Sequence, residues 1–241
     1  MMRVGKRFSW MAASVLAVAL AGCCDSNTPL GVRESGGGGP AVVLFGTTST
    51  FGVLGNTVTN TGGTSVTGDV GASPGATVSG FPPGTATGTI YLGGATAAQA
   101  QTDLTAAYND AAGRTTGAIT VSGDLTGLTL TPGLYKSTSS LGITGDLTLN
   151  ALGNPNAIFI IQMASTLTTG SGSQVILTGG AKASNIIWQV GSSATLGTNS
   201  VFKGTIMALT SITMNTGAHL DGRALASGGA VTLDTNVIVA Q

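Results

Sequence analysis

The feature that most constrains this chain is a repeat toward its C-terminal end. Asn185–Lys203 (NIIWQVGSSATLGTNSVFK), Gly204–Asp221 (GTIMALTSITMNTGAHLD) and Gly222–Val239 (GRALASGGAVTLDTNVIV) align at 18 or 19 residues each. Each carries Thr-apolar-x-Thr followed by Gly or Asn: Thr195 to Thr198, Thr213 to Thr216 and Thr232 to Thr235. Thr166 to Thr169 and Thr64 to Thr67 are looser copies, and Leu141 to Thr144 keeps only the second Thr. A short period of β-prone runs with Gly/Asn corners describes a β-solenoid, about three short strands per coil, stacked in parallel. One coil cannot bury its own apolar side, so stacking makes the core. A helical bundle is excluded, because 39 Gly and 37 Thr in 241 residues oppose helix nearly everywhere.

The three strands of a coil read differently. Ala157–Met163, Ile186–Val190 and Ile206–Leu209 are apolar at both parities, so that face is expected to be covered on its outside as well. One stretch can cover it. Residues 94–113 have helical periodicity with an apolar stripe of Ala97, Ala100, Leu104, Ala107, Tyr108 and Ala111, and Gly113 is a plausible stop. Trp188 is expected under this helix. The next strand set alternates Leu, Met, Ile or Val inward with Thr or Ser outward. Thr195, Thr213 and Thr232 then form one outward column and Thr198, Thr216 and Thr235 a second at the corner. Ser211 lies two residues before Thr213, and Thr64, Thr67, Thr144, Thr166 and Thr169 belong to the same set through the looser copies.

Charge narrows the function. Only 7% of residues are charged, against roughly a quarter in ordinary domains, and the nine basic and nine acidic residues balance. No basic stripe exists for nucleic acid. Asp69, Asp124 and Asp146 recur at Gly-Asp corners and read as turn chemistry, Asp221 and Arg223 as a corner pair, and the single His219 has no obvious partner. No cofactor, metal site or enzymatic activity is expected.

The N-terminal end is an address. Arg3, Lys6 and Arg7 precede an apolar run from Phe8 to Leu20, too short to span a bilayer and suited to a secretory signal. It ends in Leu20-Ala21-Gly22-Cys23, which resembles the bacterial lipobox. The resemblance implies cleavage before Cys23 and a lipid on it, placing the protein outside the cytoplasm, at the outer membrane or cell surface, or released from it. Ordinary cleavage, with Cys23 and Cys24 as thiols or a vicinal disulfide, is the alternative. Residues 1–22 are thus a leader, 23–39 a Gly-rich tether, and 40–241 the solenoid domain, which has no cysteine.

The solenoid's motifs resemble those of the ice-binding-like family of microbial secreted proteins. They are Gly63 to Pro74, Ala106 to Arg114, Leu130 to Tyr135, Ile187 to Val190, Ala194 to Thr198, Gly222 to Ala226 and Ala230 to Leu233, in the family's order over about residues 50–240. The resemblance implies an irregular right-handed β-helix with one long helix alongside, adsorbing to ice through a flat Thr/Ser face, which slows growth and recrystallisation; the chain is expected to be a monomer. The short connection from Phe81 to Gly94 implies that a capping subdomain found in some relatives is absent. A Thr offers a hydroxyl to anchor water and a methyl against which water can cage, on a side chain already stiff at χ1. Outward Thr is also the ordinary choice of an exposed strand. The rival reading is a lipid-anchored adhesin or structural module that binds a polymer or another cell.

Overall fold

The computed structural model describes Met1 and residues 39–241. The leader 1–22, Cys23 and the tether 23–39 lie outside the described residues, apart from Met1 and Gly39.

The chain makes a three-sided parallel solenoid whose coils do not follow chain order. The first strand, Phe51–Thr61, is eleven residues long and rounds a corner, so it belongs to two faces. Ser65–Thr67 forms the third side, a second coil follows through Asp69–Ser79 and Thr85–Ala86, and Ile90–Leu92 stacks on Asp69–Ser79 as the start of a further coil. Helix α1 (Gly94–Gly113) comes next, and the remaining coils begin at Ile119. Along the axis, the coil of Ile119 comes first, followed by those of Gly133, Phe159, Ile186, Thr205 and Ala224. The N-terminal coils then stack on the last of these, with Val53 opposite Ala224, Val58 opposite Val231 and Ser65 opposite Val237. The solenoid is closed at a seam between residues some 170 positions apart.

The doubly apolar strands sort by parity as a covered face requires. Trp188, Ile206 and Ala224 point into the solenoid. Ile187, Met207 and Leu225 point out and pack with Leu104, Ala107 and Tyr108 of α1. All six residues of the expected stripe are buried, from Ala97 to Ala111. Burying each large aliphatic side chain contributes roughly 1.5–3 kcal/mol. Trp188 lies in a helix-covered strand, but its ring faces inward, 4.8 Å from Phe202, and its Nε1 donates to Lys203 O at 2.9 Å. A strand residue of that parity cannot reach the helix.

Glycine is required where coils turn from the third face to the helix-covered face. Gly222 has φ +149°, and a Cβ there would sit 2.0 Å from Gly204 O.

Candidate functional site

The strand set after the helix-covered face is a second flat side. Its ladder places Asp124, Gly142, Thr168, Thr195, Thr213, Thr232, Thr59 and Ser79 opposite one another in one line. The flanking residues Leu167, Ala194, Leu196, Ile212, Met214, Val231, Leu233 and Val58 are buried, which holds the hydroxyl residues outward. From Thr168 to Ser79 the line has a hydroxyl on each of its six rungs, about 4.8 Å apart.

A second line lies two residues earlier on each rung. Leu141, Leu167, Ala194 and Ile212 donate their N–H groups to the carbonyls of Thr166, Ser193, Ser211 and Ala230, which fixes the stacking of those four. Thr57 and Thr77 continue it on the N-terminal coils. Ser140 joins at the other end, where Thr166 Oγ1 lies 2.9 Å from its hydroxyl. The two lines stand roughly 6.6 Å apart, the distance between alternate residues of a strand. The result is a rectangular net of methyls and hydroxyls. No charged side chain stands within it; Asp124 and Asp234 lie at its end and edge.

The structure brings together five of the residues singled out in the sequence. Thr195, Thr213 and Thr232 lie in the first line, Thr166 and Ser211 in the second. Thr198 and Thr216 stand at the adjoining corner, where Asn199 N donates to Thr216 O at 3.1 Å. Thr235 departs from their column. Leu233 to Val237 spans one residue fewer than Met214 to His219, yet the ladder aligns both ends. Asp234 therefore takes the place after Thr216 and pairs with Thr61, and Thr235 is pushed into a left-handed conformation at φ +54°. Thr216 donates its hydroxyl to the Asp234 carboxylate.

The other residues of the looser copies fall elsewhere. Thr168, not Thr166, aligns with Thr195, so Thr169 occupies the inward place of Leu196, is 4% exposed, and accepts the N–H of Gly197 at 2.8 Å. Thr64 is fully buried and accepts the N–H of Asn236 at 3.0 Å. Neither can meet a ligand. Thr67 is exposed, but on the third face beside Val239. Thr144 is exposed at the end coil, where it and Thr126 surround Asp124. Those hydroxyl bonds, with the backbone N–H groups of the same two threonines, hold the Asp124 carboxyl down at about 2.

Thr57, Thr59, Ser79, Thr168 and Ser193 were not singled out by the repeat. Thr57, Thr59 and Thr61 do alternate along one strand, a signal of an outward hydroxyl row. Nothing local says that this row continues the one from Thr232.

The third face carries the remaining polar chemistry. Asp221 pairs with Lys203 on the neighbouring strand and with His219 Nε2 at 2.8 Å, rather than with Arg223. Burial pushes the Asp221 carboxyl up, but the two donors outweigh it and hold it below its ordinary value. Among the described residues, no three His, Cys, Asp or Glu side chains gather as a metal site would require.

Comparison with known proteins agrees with this architecture. The family model described as ice-binding-like matches residues 53–239. An ice-binding protein of Nostoc sp. (strain HG1) is 52% identical over 200 residues, covering 82% of this chain and 74% of the relative. One from Flavobacterium frigoris (strain PS1) is 38% identical over 217 residues, covering 82% and 76%. The crystal structure of an ice-binding protein from an Antarctic biological consortium superposes with a TM-score of 0.81 at 54% identity, covering 88% of this chain and 96% of the other. That from the Antarctic ascomycete Antarctomyces psychrotrophicus gives 0.79 at 40%, covering 83% and 98%.

Proposed function

The chain belongs to the ice-binding-like family, and from that premise we propose that it adsorbs to ice through the Thr/Ser face, slowing crystal growth and recrystallisation. The observation that carries the choice of face is the unbroken hydroxyl line from Thr168 to Ser79. A solid surface rewards a rigid, flat, uncharged net, because many weak contacts must be made at once. The ladder supplies flatness, and β-branching pre-orders the threonines so that little rotamer entropy remains to be lost. The helix-covered face is occupied, and the third face interrupts its hydroxyls with Lys203, Asp221, Val201 and Val237.

The protein works as a monomer on the ice surface, held outside the cytoplasm by a lipid on Cys23. Support for the lipid is the run Leu20-Ala21-Gly22-Cys23 behind an apolar segment. Mass analysis of the N-terminal peptide after expression in a bacterial host tests it: a diacylglyceryl adduct on Cys23, absent from Cys23→Ser, is expected, and an unmodified Cys23 refutes it.

Ice recrystallisation inhibition by the purified protein tests the central reading. Inhibition that vanishes on heat denaturation is expected. A folded sample with no inhibition refutes it and returns the face to the adhesin reading.

A further inference from the structure

Both ends of the solenoid domain lie on one edge of the three-sided body. Each strand of the helix-covered face starts at the edge shared with the third face and finishes at the edge shared with the Thr face. Arg223, immediately before the strand Ala224–Ala226, therefore marks the first of these edges. It is 8% exposed, and its guanidinium donates to Ser49 O and to Gln241 O. Its charge also lies 5.8 Å from the centre of the Phe45 ring. Residues on the N-terminal side and Gln241 are thus gathered by one buried cation.

The arm that leads away from Ser49 stays on that side. Gln101 and Tyr108 of α1, seven residues apart and so on one side of the helix, bond Ala226 O and Val190 O, at the Thr-face ends of their strands. Asp103 and Asp110, each two residues past one of these, lie near the opposite side, because residues two apart on a helix are about 200° apart, and Arg114, just past the helix, pairs with Asp110. Asp103 accepts the N–H and hydroxyl of Thr47, and Arg114 donates to Ala41 O and Val42 O. Val43 is buried between these two attachments. Residues 41–49 therefore run along the flank of α1 that faces away from the Thr face.

In a three-sided body, the edge between two faces is the part farthest from the third. We infer that this edge is the attachment edge of the molecule: whatever is joined to the body at residue 41 or 42 or at Gln241 is held across it from the Thr/Ser face. The face therefore stays free to meet ice while the protein is held. This rests on the ice-binding reading above. Arg223 and Arg114 are its positioning residues, clamping the arm so that a load at residue 41 or 42 cannot swing round to cover the threonines.

Site-directed bulk tests the inference. The full chain, with Cys23 and Cys24 changed to Ser and produced without lipid, carries a single new cysteine as Val42→Cys, Gln241→Cys or Thr213→Cys. Each is biotinylated through a short linker and saturated with streptavidin, and recrystallisation inhibition is measured with and without the load. Val42 suits the purpose, being 56% exposed beside the Arg114 clamp. Streptavidin at 42 or 241 is expected to leave the inhibitory concentration within about twofold, and at 213 to raise it at least about tenfold, as blocking the centre of a contact does. A tenfold loss with streptavidin at 42 or 241, with the unloaded variants active and folded by circular dichroism, overturns the edge. Full activity with streptavidin at 213 overturns the face and with it the edge opposite. Unloaded Val42→Cys and Gln241→Cys proteins that are both folded and inactive overturn the ice reading itself.

Discussion

Thr213→Tyr puts a quantitative burden on the Thr face. Thr213 is half-exposed in the middle of the first line, with Thr195 and Thr168 on one side and Thr232, Thr59 and Ser79 on the other. A tyrosine ring stands well above the threonine tips, so a flat crystal resting on it can touch rungs on one side only. At best three of the six hydroxyl rungs keep contact. If six rungs together are worth ~8 kcal/mol, equivalent to a micromolar constant, losing half removes ~4 kcal/mol and weakens adsorption about a thousandfold. Thr213→Ala, by contrast, removes one rung's share, ~1.4 kcal/mol or about tenfold. The fold should not notice either change, since Tyr is at home in strands and an exposed substitution usually shifts stability by no more than ~0.5 kcal/mol. The assay is the inhibitory concentration for recrystallisation, with thermal unfolding as the control and Thr67→Tyr on the third face as the comparison. If Thr213→Tyr and Thr67→Tyr have the same inhibitory concentration as the parent, the face assignment is wrong. If Thr213→Ala costs as much as Thr213→Tyr, one side chain and not flatness governs adsorption.

Three further outcomes follow from the corners. Asn236→Ala removes donors to Asn215 O and Ala218 O and an acceptor for Asp234 N, all at a buried position; a loss of ~2–4 kcal/mol by denaturant unfolding is expected, and one under ~1 kcal/mol refutes the role. Gly222→Ala, with its Cβ forced against Gly204 O, should cost at least ~3 kcal/mol or prevent folding; a near-neutral variant contradicts the close coil contact. Asp124 has its carboxyl held at about 2 against ~3.9 in an unfolded chain. Its contribution is therefore complete above about pH 4 and fades as pH falls toward 2. Melting temperature across that window should fall less steeply in Asp124→Asn, and identical slopes refute the assignment.

How much of this was legible in the sequence depended on whether the signal was local. The helix was, because its apolar stripe repeats every 3.6 residues and Gly113 follows it; α1 occupies Gly94–Gly113 with those side chains buried. Thr195, Thr213 and Thr232 were legible because their coils are equal in length up to that point. One residue fewer between Leu233 and Val237 was enough to remove Thr235 from its column, since a single step reverses the side of a strand on which a residue stands. The same parity argument explains Thr169, which the Thr-x-x-Thr match points outward but which occupies the inward place of Leu196. Thr64 satisfied the motif in a corner that folds its hydroxyl inward. Arg223 resembled a surface partner for Asp221 because the two flank Gly222, yet that glycine's φ separates them onto different faces.

The order of the coils was the largest element that local reading did not reach, and it controls the proposed function. Of the six hydroxyl rungs, Thr168, Thr195, Thr213 and Thr232 come from the C-terminal coils, while Thr59 and Ser79 come from the N-terminal ones. The net is continuous only because Phe51–Thr61 docks on the coil of Ala224, bridging sequence separations that make such pairing slow to form. Arg223 sits at that seam and ties Ser49 and Gln241 to it with one buried guanidinium. Closing the seam therefore does two things at once. It buries the open end of the C-terminal coils, which a stacked solenoid requires, and it lengthens the Thr face from four rungs to six. A face assembled this way couples adsorption to the integrity of the seam, because without it the net has four rungs and not six.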